Sequence, residues 1–232
     1  MGVSEQLKEE QGQAVPSDRA LAAWEIVSVA SSVLIAEWIL AAADGRNKVI
    51  VVVPIALAFV LIISSQILRR ESARDLGLQY ANFIPALKLL LLPMVVVGTV
   101  SVLIGFLTGT RLDFFRWHAE RSIAFQLAVG FAWGFVQQYV LQSFVNRRAQ
   151  IISGPGPLSV LLTALIFSGL HFPNPWLMVV TFIGGLVWAF VYQRVPNLFA
   201  LAVSHSVMTW VLVTTLPPSA LNHLRIGLKY FA

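Results

Sequence analysis

The chain has 232 residues, 57% of them hydrophobic and 12% charged, with a mean hydropathy of +0.77, which is too apolar for a soluble domain and describes a polytopic membrane protein. It has no cysteine, which excludes disulfides, thiolate nucleophiles and Cys-type zinc sites. The formal charge of +5 lies wholly in the second half, because residues 1–121 hold 11 basic and 11 acidic residues whereas residues 122–232 hold five basic residues and no acid.

Residues 1–19 read as a polar N-terminal tail, with no cleavage-site pattern, so the first span is expected to be an uncleaved signal anchor. That span covers about residues 20–43, close to the roughly 20 residues a bilayer requires. It carries Glu25 near one end, read as an interfacial residue, and Glu37 deeper inside. A clean second span follows at about residues 49–68, then a polar connector over residues 69–83 containing Arg69, Arg70, Glu71, Arg74 and Asp75. The third span, at about residues 84–107, has Lys88 near its start, from where it can snorkel. Residues 108–122 form a mixed-charge loop with Trp117, His118 and Glu120, and residues 20–121 together make an N-terminal membrane unit.

The fourth span, at about residues 123–145, is an apolar helix with three glutamines in it, Gln137, Gln138 and Gln142. Gly130, Gly134, Gln138 and Gln142 recur every four residues and therefore share one stripe. Amides facing lipid would leave donors and acceptors unpaired at a few kcal/mol each, so the stripe must face protein or a polar cavity. Arg147 and Arg148 are expected as its polar exit before a Gly-Pro-Gly-Pro turn. A fifth span, at about residues 158–170, delivers His171 and is stopped by Pro173 and Pro175. The sixth, from Trp176 to about Tyr192, contains Gly184-Gly185; the seventh, at about residues 197–216, contains His205 and, one turn on, Thr209. Residues 217–232 form a weakly basic tail suited to the membrane surface, where His223 is expected to be solvated. The expected fold is thus all-α, a bundle of about seven (six to eight) transmembrane helices. The basic residues of the loops divide eight to seven between the two sides, an excess that favours an inside N-terminus only slightly.

Intramembrane polar groups are costly and are rarely kept without a partner or a task. Phe167-Ser-Gly-Leu-His171, His205 with Thr209, and the Gln137-Gln138 pair with Gln142 occur in an order and spacing that resemble the CPBP intramembrane proteases, the family of the type II CAAX prenyl endopeptidases and bacterial Abi proteins. The family's motifs are Glu-Glu-x-x-x-Arg, Phe-x-x-x-His and His-x-x-x-Asn/Asp. Here the second is complete, the third has Thr209 in place of Asn or Asp, and the first has Gln137 and Gln138 for the glutamates and Gln142 for the arginine. The resemblance spans about residues 122–216 and includes the turn from Tyr192 to Leu198.

The resemblance implies an intramembrane endopeptidase acting on a membrane-associated peptide or protein, with His171, His205, Gln137 and Gln138 at the catalytic positions and Gln142, Phe167 and Thr209 supporting them. It also allows a divalent metal such as zinc on His171 and His205. In the family the first glutamate is held to activate the attacking water. An amide cannot act as a general base near neutral pH, and losing such a base costs about 10² to 10⁴ in rate. A histidine, or a carboxylate from outside the motif, would have to replace it, and Glu37 is the leading candidate as the most deeply placed acid in any span. The competing expectation is a pseudoprotease that binds a protein or lipidated partner; a small-molecule transporter is disfavoured by the absence of acids from the second half. The blander readings are interhelical amide pairing for the glutamines, a helix-end cap for His171 and a salt bridge for Glu37. The expected partners are the bilayer, in the plasma membrane of a prokaryote, and a peptide or protein substrate; no nucleic-acid-binding face is present.

Overall fold

The computed structural model describes residues 16–40, 48–116 and 121–231. The polar tail before Pro16, the end of the first expected span with Arg46, and the loop residues Trp117, His118 and Glu120 lie outside the described residues.

Among the described residues there are only helices. They are α1 (Pro16–Leu34), continued by a π-helical segment Ile35–Leu40; α2 (Lys48–Leu68); α3 (Phe83–Leu107); α4 (Ile123–Gln138), continued by a π-helical segment Tyr139–Asn146; α5 (Arg147–Ser153); α6 (Pro157–Gly169); α7 (Pro175–Arg194); α8 (Leu198–Thr215); α9 (Pro218–Leu221); and two 3-10 turns, Asn222–Leu224 and Gly227–Phe231. Four segments, Asp18–Ile39, Phe83–Leu107, Pro175–Arg194 and Leu198–Thr215, are long and apolar enough to cross a bilayer, and Val52–Leu68 and Pro157–Gly169 are shorter apolar helices. The chain is a polytopic all-α membrane protein. α3 shows why: only 17% of its apolar window is buried within the protein, and Leu91, Leu92, Val95, Val96 and Leu103 face outward, as lipid-exposed residues do.

Polar residues sit inside. The glutamine stripe extends further than the sequence indicates, because Gln126, Gly130, Gly134, Gln138, Gln142 and Asn146 are all buried. Four residues overshoot one turn of α-helix and fall short of one turn of the wider π-helix, so the π segment reverses the drift and keeps the line on one face. The stripe packs on α8, where a Cβ at Gly134 would lie 3.2 Å from the His205 Cβ. α6 and α7 pair just as closely, since a Cβ at Gly185 would lie 2.9 Å from the Ala164 Cα.

Two asparagines serve twice. Asn174 Oδ1 caps α7 by accepting from Leu177 N (3.1 Å), and its Nδ2 donates to the carbonyls of Leu221 and Arg225. Asn197 Oδ1 caps α8 through Ala200 N (2.9 Å) while its Nδ2 donates to the Gln79 carbonyl. The first ties the C-terminal segment to the bundle. Gly227 N donates to the Phe172 carbonyl (3.1 Å), and Gly227 abuts the Glu37 backbone.

Candidate active site

The close approach of α4 and α8 sets Gln138 Nε2 3.1 Å from His205 Nδ1, with both residues buried. An amide N–H donates, so the neutral His205 ring accepts at Nδ1 and carries its proton on Nε2. Trp188 of α7 stacks on the imidazole (centroids 4.6 Å apart, planes at 10°) and donates from Nε1 to Ser204 Oγ (3.2 Å). His171 follows the end of α6, and its Nδ1 lies 2.7 Å from the Phe167 carbonyl. A carbonyl only accepts, so Nδ1 holds the proton and Nε2 keeps a lone pair. This bond makes His171 a cap for a helix-end carbonyl, as the blander reading expects, without occupying Nε2. Phe167 stands edge-on to His171 (4.8 Å, 83°) and to His205 (6.3 Å, 73°). It packs between the rings and does not line the hollow they share.

That hollow has a volume of about 450 Å³. Gln137, His171, His205, Thr209 and Glu37 all line it, with Trp133, Trp188 and Met208 as apolar wall and Arg225, Ile226 and Lys229 at one side. Gln137 Oε1 and Gln138 Oε1 are buried and have no hydrogen-bond partner among the described residues. Glu37 lies in the π-helical continuation of α1, and its Oε2 is 3.4 Å from Lys229 Nζ. That pair is partly solvated, at 26% and 59% side-chain exposure, so it holds the carboxylate only weakly. Gln142 lies elsewhere. Its Oε1 accepts from Asn146 Nδ2 (2.8 Å), in a buried polar chain that runs on through Gln193 to Ser159.

His171 and His205 by themselves fall short of the three protein ligands of a catalytic zinc site, and among the described residues no group of three or more His, Asp or Glu is placed to hold an ion.

Residues 119–211 match the family model for Rce1-like type II CAAX prenyl endopeptidases. The match covers less than half of the chain and makes this segment similar to the CAAX-type intramembrane proteases. No curated protein and no solved structure matches the chain. Within the matched residues lie His171, His205, Gln137, Gln138, Gln142 and Thr209; Glu37 and Lys229 lie outside them.

Glu25 is paired inside the protein rather than left to solvent. Arg148, fully buried on α5, reaches Glu25 Oε2 through Nε (2.8 Å), Glu71 Oε1 through Nη1 (2.7 Å) and Ser65 Oγ through Nη2 (2.8 Å). Ser65 Oγ in turn donates to Glu25 Oε1 (2.7 Å), Arg69 pairs with Glu25 (3.4 Å), and Arg147 Nε pairs with Glu71 (2.9 Å). The motif helix therefore does not exit into water at Arg147. It runs on as α5 because both arginines find carboxylates. Trp188 and Lys229 carried no sequence signal of a site, the one being an aromatic on an apolar helix and the other a cation in a tail.

Proposed function

We propose that the protein is an intramembrane endopeptidase in which Glu37 supplies the carboxylate that the first motif lacks. The observation that carries this reading is the shared hollow: Glu37, from the first helix, lines the same 450 Å³ cavity as Gln137, His171 and His205. A water between Glu37 and the His171 Nε2 lone pair would lose its proton to one of them as its oxygen adds to a scissile carbonyl. The developing oxyanion would be met by the Gln137 amide N–H and the His205 Nε2–H, both neutral donors facing a low-dielectric space. Collapse of the tetrahedral adduct returns the proton to the leaving amine. The apolar wall of Trp133, Trp188 and Met208 suits a membrane-associated peptide.

A second reading, a non-cleaving binder of a protein or lipidated peptide, is favoured by the amides at both glutamate positions and by the Lys229 ammonium beside Glu37. One experiment separates the two. The full chain, reconstituted in liposomes, is given prenylated and unprenylated peptides and cleavage is followed by mass spectrometry. The enzyme reading expects turnover that falls about 10² to 10⁴-fold in Glu37→Gln. Binding of peptide without turnover, with cleavage appearing only in Gln137→Glu, would establish the binder instead.

A further inference from the structure

A second hollow, of about 350 Å³, opens at the C-terminal end of α7 and shares no residue with the cavity holding the histidines. The connector before α3 and the start of α5 form its wall, with Arg74, Asp75, Asn82, Arg147, Gln150 and Gln193 among the lining residues. Its one carboxylate is already engaged, because Asp75 Oδ2 accepts from Ser72 N (2.9 Å) and Ser72 Oγ (2.6 Å). The cations are less committed. Arg147 uses Nε on Glu71 and Nη1 on the Asp75 carbonyl, which leaves Nη2, and the Arg74 guanidinium forms no hydrogen bond among the described residues, though its charge acts on Asp75. Asn82 stands at the start of α3 without its side chain capping the helix.

A planar guanidinium fork matches the oxygens of a phosphate, and the Arg74 fork with the free Arg147 Nη2 beside an amide makes a site for one phosphate group. Among the described residues the lining holds two arginines, Arg74 and Arg147, against one carboxylate, Asp75, an excess that favours an anion. An apolar track starts next to it. Tyr80, two residues before Asn82, stacks on Phe199 (4.8 Å), which stacks on Phe135 of α4 (5.5 Å). We propose that this hollow binds a phosphate ester of the kind carried by anionic phospholipid headgroups, with Arg74 and Arg147 on the phosphate oxygens and Asn82 donating beside them.

The test is binding of phosphatidylglycerol and of phosphatidylcholine to the full chain in detergent micelles, by native mass spectrometry, with inorganic phosphate as competitor. The expected result is preferential retention of phosphatidylglycerol, weakened about fivefold in Arg74→Gln, the loss expected for one cation near an anionic lipid surface. Lys88→Gln, which removes an exposed cation outside the hollow, should bind as the unsubstituted chain does. Asn82→Leu should weaken binding as Arg74→Gln does, which guards against a fold defect in either variant. Displacement by millimolar phosphate would show that the free ion shares the site; resistance to it would assign the site to the lipid. Equal retention of the two lipids, or undiminished binding in both hollow variants, would overturn the proposal.

Discussion

His171 shows how one side chain can satisfy a structural and a chemical demand at once. Its Nδ1–H closes the last turn of α6 on the Phe167 carbonyl, and the same bond fixes the tautomer that leaves the Nε2 lone pair free on a residue lining the cavity. The two roles separate on substitution. Asparagine places an N–H near the position of Nδ1 but has no group at Nε2. His171→Asn is therefore expected to keep a thermal midpoint close to that of the unsubstituted chain while kcat falls about 10² to 10⁴-fold with little change in KM. His171→Ala should lose both. If the asparagine variant cleaved at the original rate, the ring would be a cap and nothing more. At this scale the sequence was informative wherever polarity interrupts an apolar run: Gln137, His171, His205, Thr209 and Glu37 were legible, and all five line one hollow. Trp188 was not, because an aromatic on an apolar helix contrasts with nothing around it. Gln142 was legible as buried but not as remote from the hollow, since spacing along one helix does not reveal what faces its lower turns.

Three helix starts fall where the sequence places the start of an apolar span, and each is fixed by a local cap that the apolar pattern does not itself identify. Ser122 Oγ accepts from Phe125 N, and Asn174 and Asn197 cap α7 and α8 immediately before or near prolines and apolar runs. The second use of each asparagine was hidden, for its partner carbonyls lie far along the chain. That second use governs the C-terminal segment. Asn174→Asp would keep the cap through its oxygen but remove the two Nδ2 bonds to Leu221 and Arg225, placing a carboxylate opposite two carbonyls. Limited trypsin digestion should then cut after Arg225 and Lys229 markedly faster than in the unsubstituted chain, while the helical circular dichroism signal stays intact. Unchanged digestion would mean that Gly227, through Phe172 and the Glu37 backbone, holds the segment by itself. The end of the motif helix was misread for the same reason: two adjacent arginines resemble a solvated exit unless carboxylates from elsewhere are known to meet them.

The charge asymmetry of the whole molecule has its physical answer in those contacts. The second half has no acid of its own, and each cation it buries or half-buries against a carboxylate borrows one from the first half: Arg148 takes Glu25 and Glu71, Arg147 takes Glu71, and Lys229 takes Glu37. The two halves are held in register by ion pairs that neither could form alone, and the helix that carries Glu25 is continuous with the π segment that carries Glu37 into the cavity. Arg148 is the centre of this arrangement, with no exposed side-chain surface and with carboxylates only 12% and 6% exposed around it. Removing one member of such a pair costs about 3 to 5 kcal/mol, because the charges left behind have no water to turn to. Arg148→Met should therefore lower the thermal midpoint sharply, and Arg148→Lys should recover only part of the loss, since a single ammonium cannot span Glu25, Glu71 and Ser65 together. Neutralising the two acids discriminates between lost charge pairing and lost packing. Glu25→Gln with Glu71→Gln in the Arg148→Met background should restore a good part of the midpoint if buried carboxylates left with Arg69 and Arg147 alone are the cause. No recovery in that triple variant would mean that the stacking of Arg148 on Phe144, at 4.9 Å, and its fill of the interior matter more than its charge.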